Sequence, residues 1–139
     1  MSAPSRILVN WKSDRIFEAG REGRPSITLD GDGLQAPTPP EALLSSLASC
    51  ISVDVVDILA KRRTPVEKYS VEILGERVDS IPRRFKHITM NISITGHGIE
   101  RAPAEHAIDL AVNKYCSVRD SLDPNIPIVW NLSINSGHE

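Results

Sequence analysis

The chain has 139 residues, enough to bury a core as one domain without metals or disulfide staples. A formal net charge of −2 and only 4% aromatic residues leave no basic face with interleaved aromatics, which sets nucleic-acid binding aside. The N-terminus does not read as a signal peptide, and no uninterrupted apolar run approaches the ~18 residues of a membrane span. The expectation is a cytoplasmic protein with no membrane partner.

Arg6 to Lys12 alternates as a strand, and Arg15 to Ala19 can pair with it after a turn at Ser13-Asp14. Gly20-Arg21-Glu22-Gly23-Arg24 makes a glycine-punctuated bend before a short strand near Ser26 to Leu29. Asp30-Gly31-Asp32-Gly33 is a turn signal, and Gln35 to Pro37 leads into a long helix. Residues 1–37 therefore read as a three-stranded antiparallel meander.

The helix over residues 38–63 dominates the chain. Thr38 can cap it, Pro39 suits the first helical position, and Glu41 completes a capping box with Thr38. Lys61, Arg62 and Arg63 favour the negative end of the macrodipole, and Thr64-Pro65 stops the helix. Between these ends, Leu43, Leu44, Leu47, Ile51, Val53, Val55, Ile58 and Leu59 fall on nearly every face, the pattern of a helix buried all round. So apolar a helix in so small a chain predicts an obligate homodimer. Ser46, Cys50, Asp54 and Asp57, spaced by four, four and three, form one polar stripe and a candidate site lining.

Residues 64–139 supply the remaining elements of the single expected domain, 1–139. Val66 to Val78 alternates, with Gly75 as a candidate bulge, and Lys86 to Thr95 alternates again across a hairpin loop at 79–84. Pro103 to Cys116 repeats apolar residues at three and four, with Pro103 at the first helical position and Cys116 facing inward at the end. Ser117 to Leu122 adds a helical turn, and Ile126 to Ile134 closes the chain as a strand. The fold class is α+β in the order β-β-β-α-β-β-α-(α)-β, with antiparallel sheets around the central helix. No phosphate-binding glycine fingerprint accompanies it.

Cys50 and Cys116 are too far apart in sequence for a CxxC motif, and His87, His97, His106 and His138 show no ligand spacing. The cysteines are either two buried free thiols or a functional dithiol.

Several segments together resemble the OsmC/Ohr family of osmotically inducible and organic hydroperoxide resistance proteins. They are TPPEALLSSLASC with Cys50 deep in the central helix, CISVDVV with Asp54, KYCSV with Cys116, and GREGR at Gly20 to Arg24. The resemblance implies an intertwined homodimer and a cofactor-free, metal-free thiol peroxidase acting on organic hydroperoxides, with hydrogen peroxide a further candidate substrate. Cys50 would be the peroxidatic thiolate and Cys116 the resolving thiol, with a lipoyl-type or other dithiol as reductant. Arg21 would be the family's active-site arginine, and Glu41 the glutamate that orients it.

That chemistry makes its own demands. A buried thiol has a raised pKa unless a cation or hydrogen-bond donors offset desolvation. Cys50 lies about three turns into the helix, beyond the reach of the N-terminal dipole, and Asp54 acts in the wrong direction. An arginine is therefore expected, with Arg15 and Arg24 as rivals to Arg21. Glu41 lies nine residues before Cys50 and roughly 13 Å away along a straight helix, and the capping box accounts for it without catalysis. Two other readings stay open: a non-catalytic dimeric small-molecule-binding protein on this fold, and a redox sensor whose dithiol reports oxidation without useful turnover.

Overall fold

The computed structural model describes residues 3–135, so His138 lies outside the described residues. Three antiparallel strands come first: β1 (Leu8–Ser13), β2 (Ile16–Gly20) and β3 (Ile27–Asp30), in the order β1-β2-β3. The turn between β1 and β2 places Asp14 at φ 48°, a left-handed conformation that aspartate tolerates, and its carbonyl accepts the Trp11 indole N–H at 2.9 Å. Register puts Val9, Ala19 and Ile27 in one row and Trp11, Phe17 and Leu29 in the next, so all six share one apolar face. Val9 is 61% exposed, Trp11 65% and Ile27 59%.

Asp30 ends β3 as the buried charged residue of the turn that follows. Its carboxylate accepts the backbone N–H groups of Asp32, Leu34 and Gln35 at 2.9, 3.2 and 3.0 Å. The Asp32 and Gln35 bonds, helped by Leu34 and the Arg15 charge, hold it below the usual carboxylate range against the cost of burial.

Helix α1 (Pro39–Lys61) follows. The capping box forms as expected: the Thr38 N–H donates to Glu41 Oε1 at 2.9 Å and the Glu41 N–H to Thr38 Oγ1 at 3.3 Å. By compactness the chain divides into Met1–Leu43 and Leu44–Glu139. In the second unit, Leu47, Ala48, Ile51, Val55 and Leu59 of α1 are buried, repeating at three and four. Within a single chain Val53 is 60% exposed and Leu43, in the first unit, 40%; in the second unit the helix shares one core cluster with a sheet, which takes up one face and leaves the other uncovered by this chain. The helix is also long and apolar enough to cross a bilayer, with mean hydropathy 1.8, because isolated polar residues interrupt the apolar run without lowering its average much.

That sheet contains β4 (Lys68–Arg77), β5 (Phe85–Thr95) and β6 (Ile128–Ile134), in the order β4-β5-β6. Its core face carries Val71 and Ile73 of β4, Ile88, Met90, Ile92 and Ile94 of β5, and Trp130 and Leu132 of β6. The outer face is mixed: Glu72, Asn91 and Asn131 are hydrogen-bonded in a ladder at 2.9 Å per step, and Leu74 and Val129 are exposed beside them. The β4-β5 hairpin is antiparallel, but β6 joins β5 in parallel, contrary to the expected all-antiparallel pairing. The helical segment between β5 and β6 supplies the crossover a parallel pair requires. The bulge lies at Glu76/Arg77 rather than Gly75. Gly75 is there for another reason: a Cβ on it would sit 2.5 Å from the Phe85 ring.

The crossover begins with α2 (Arg101–Leu110), two residues earlier than expected, so Pro103 sits third, where its missing N–H still costs no helical bond. Ala104, Ala107 and Ile108 face the core. The helix does not run on to Cys116. Ala111–Tyr115 widens into a π-helical turn closed by the Cys116 N–H on the Ala111 carbonyl at 2.9 Å. Cys116 is then extended, at φ −74° and ψ 107°, and caps the short helix α3 (Ser117–Asp120).

Candidate functional site

The site is built where α1 meets the α2–α3 junction. Cys50, half-buried on α1, packs against the core cluster, and Cys116 is 4% exposed. The π turn offsets the α2 register by one residue and releases Cys116 from helical geometry. Its thiol thereby comes within hydrogen-bonding reach of Cys50, and both cysteines are free thiols. The first turn of α3 is held from behind by Arg119, whose guanidinium donates to the carbonyls of Asp123, Pro124 and Ile126 at 3.1, 3.3 and 3.0 Å.

The two thiols are driven apart electrostatically. For Cys50, burial is the largest influence and raises the pKa. The Val118 N–H, the Cys116 thiol, and the Ser117 hydroxyl and N–H together outweigh it, holding Cys50 below the usual thiol range. For Cys116, burial again comes first, and the Cys50 sulfur adds to it. The Arg119 and Val118 N–H groups offset only part, leaving Cys116 pushed up to about 11. The Arg119 N–H reaches the Cys116 sulfur at 3.2 Å. One proton is thus shared unequally, with Cys50 the better thiolate and Cys116 the thiol that donates to it.

The groups that lower Cys50 are neutral, which answers the demand for a positive partner differently from the sequence argument. Unpaired N–H groups at the start of a helix carry partial positive charge, and here α3 presents them to a cysteine that lies on another helix. Arg21 belongs to the N-terminal unit. It lies in the bend after β2 and lines a hollow of about 230 Å³ with Asn10, Glu18, Glu22 and Arg24. Arg15 binds Asp32 at 3.0 Å and the Gly31 carbonyl at 3.2 Å. Glu41 is engaged in the capping box. Of the predicted stripe, Cys50 and Asp54 are half-buried while Ser46 and Asp57 are exposed.

Sequence reasoning missed Ser117, Val118 and Arg119. The motif KYCSV holds a serine just after Cys116, a helix-start signal, but no spacing rule tells that the donors it frees would point at Cys50. Among the described residues no cluster of three His, Cys, Asp or Glu side chains could hold a metal ion. Beside the thiol pair lies a half-open pocket of about 250 Å³ that reaches Cys116, lined also by Val112, Asn113, Lys114, Asp120 and Leu122.

Fold and site together describe an α+β domain with two thiols paired between its long helix and a helix junction. The family model for OsmC-like proteins matches residues 30–131, and the chain belongs to that family. It is 33% identical over 127 residues to protein YhfA of Escherichia coli strain K12, covering 91% of this chain and 95% of the relative. A crystal structure of a hypothetical protein from Aquifex aeolicus VF5 superposes with a TM-score of 0.81 at 27% identity, covering 96% of this chain and 98% of that one. The organic hydroperoxide resistance protein OhrB of Bacillus subtilis shares the fold at a TM-score of 0.61 and 12% identity, covering 94% and 98%.

Proposed function

We propose that this protein is a cysteine-based peroxidase that reduces organic hydroperoxides. The observation that carries the reading is the Cys50 thiol, held below its usual pKa within hydrogen-bonding reach of a second thiol that stays protonated. In the first step the Cys50 thiolate attacks the terminal peroxide oxygen. The O–O bond breaks, Cys50 becomes a sulfenic acid and the alkoxide leaves as the alcohol after taking a proton. The Cys116 sulfur then attacks the sulfenic sulfur, a disulfide forms and water departs. A disulfide requires the two sulfurs to close to about 2.05 Å, and they begin within hydrogen-bonding reach. A dithiol reductant resets the pair, and no step calls for a cofactor.

The aliphatic side chains against which Cys50 packs suit an alkyl hydroperoxide better than hydrogen peroxide. The proposed assembly is an intertwined homodimer working in the cytoplasm, with Cys50 and Cys116 as its catalytic residues. The exposed apolar face of the β1-β2-β3 sheet and the exposed Val53 of α1 support the dimer. Arg21 and Glu41 enter the proposal as an arginine and glutamate added to the site in that assembly.

The test is anaerobic titration of the reduced protein with one equivalent of an alkyl hydroperoxide, counting free thiols and locating any disulfide by mass. Loss of both thiols within seconds into a Cys50–Cys116 bond is expected. Thiols that survive a large excess of peroxide would sink the reading. A second reading, the redox sensor, is favoured by one observation: the donors to Cys50 are neutral, so the leaving alkoxide meets no fixed cation from them. The sensor forms the same disulfide but shows no sustained peroxide consumption with excess dithiol.

A further inference from the structure

We infer that the pocket beside Cys116 is the entry site of the reductant, a short thiol-bearing chain, and that this thiol attacks the Cys116 sulfur of the disulfide. The inference rests on the dithiol chemistry just proposed and deepens it by assigning the second substrate a place and a point of attack. The pocket of about 250 Å³ reaches Cys116 but is not lined by Cys50. Cys50 instead lies half-buried on α1. A reductant can therefore approach the pair from the Cys116 side without passing Cys50. At this volume, and with water occupying about 30 Å³ per molecule in the liquid, the pocket takes the end of a slender aliphatic thiol and not a folded domain.

The walls suit such a guest. Val112 and Leu122 are apolar, while Lys114 and Arg119 outnumber Asp120, so the charged walls favour the attacking thiolate. The Arg119 guanidinium also donates to three backbone carbonyls and serves to fix the wall.

The exchange balances in two steps. The reductant thiolate bonds to Cys116 Sγ, the Cys50–Cys116 bond breaks, and Cys50 departs as the thiolate. The reductant's second thiol then attacks its own sulfur in the mixed disulfide, Cys116 is released and protonated, and the reductant leaves as a cyclic disulfide. Thiol–disulfide exchange runs faster when the departing thiol is the more acidic one. The hydrogen bonds from α3 make Cys50 that group, so geometry and leaving-group chemistry select the same sulfur.

The test begins from protein oxidised with diamide, so its outcome does not depend on peroxide chemistry. The disulfide is treated briefly with 2-mercaptoethanol, quenched in acid, and the mixed disulfide located by peptide mass spectrometry. The expected result is at least tenfold more adduct on Cys116 than on Cys50. Equal adducts, an excess on Cys50, or no Cys50–Cys116 disulfide with diamide would each overturn the inference. Failure of peroxide to oxidise a pair that diamide does oxidise would strike the peroxidase reading alone. A second measurement addresses the pocket. Asn113→Trp, which fills it from the exposed rim, is expected to slow reduction by 2-mercaptoethanol at least tenfold, and an unchanged rate counts against entry by this route.

Discussion

At the scale of single residues, the separation of two chemically identical thiols is the informative feature. Both are desolvated, and burial raises both pKa values. What divides them is burial and donors together: Cys116 is the more deeply buried, and Cys50 receives four neutral hydrogen bonds, one of them from the Cys116 thiol, which keeps its proton. A group with a depressed pKa is already thiolate below the ordinary thiol range, and one with a raised pKa stays protonated above it. Alkylation by iodoacetamide should therefore reach half its limiting rate at Cys50 below pH 9, whereas at Cys116 the rate should still climb towards about pH 11. Cys116→Ala should move the Cys50 midpoint upward, and Cys116→Ser, which keeps a donor, should restore part of it. A Cys50 midpoint unmoved by either change would contradict the shared-proton arrangement.

At the scale of elements, the π turn and the four-residue helix after it matter more than their length suggests. A regular α2 would keep Cys116 on a helical face with its N–H tied to Val112; the longer closure onto Ala111 instead leaves it extended, as the cap of α3. Ser117 can be tested with little disturbance to this geometry. It occupies the first position of α3, where proline is well tolerated, and Cys116 before it already has the extended backbone that a following proline favours. Ser117→Pro removes both the N–H and the hydroxyl that reach Cys50, and Ser117→Ala removes the hydroxyl alone. The Cys50 pKa should rise in both, further in the proline variant, with peroxide consumption at pH 7 falling in the same order. Equal values in the two variants would mean that the Ser117 backbone N–H contributes nothing.

At the scale of the molecule, a single chain leaves much apolar surface uncovered. Six apolar side chains share one face of the N-terminal sheet, and Trp11, its largest, is 65% exposed. Burying one such side chain stabilises by about 1.5–3 kcal/mol, so the face supplies a substantial drive towards association. Sedimentation velocity should find the wild-type chain dimeric at micromolar concentration, and Trp11→Glu should weaken the dimer at least tenfold. A monomeric wild-type protein would remove the intertwined assembly, and with it the route by which Arg21 is proposed to act.

Much of this was legible in the residues themselves. Alternation marked the strands, Thr38 with Pro39 and Glu41 marked the start of α1, and the contexts of Cys50 and Cys116 marked the family, because local propensity, capping and hydrophobic period are properties of neighbouring residues. Others were beyond its reach. The parallel pairing of β6 depends on which edge of the hairpin the returning chain finds, and the π turn depends on packing within the core. The source of the acidity of Cys50 is the clearest case. Sequence chemistry called for a cation, but the tertiary structure brings the Ser117 and Val118 N–H groups to a cysteine more than sixty residues earlier. Backbone N–H groups are present at nearly every residue, so only the fold decides which of them are left unpaired and where they point.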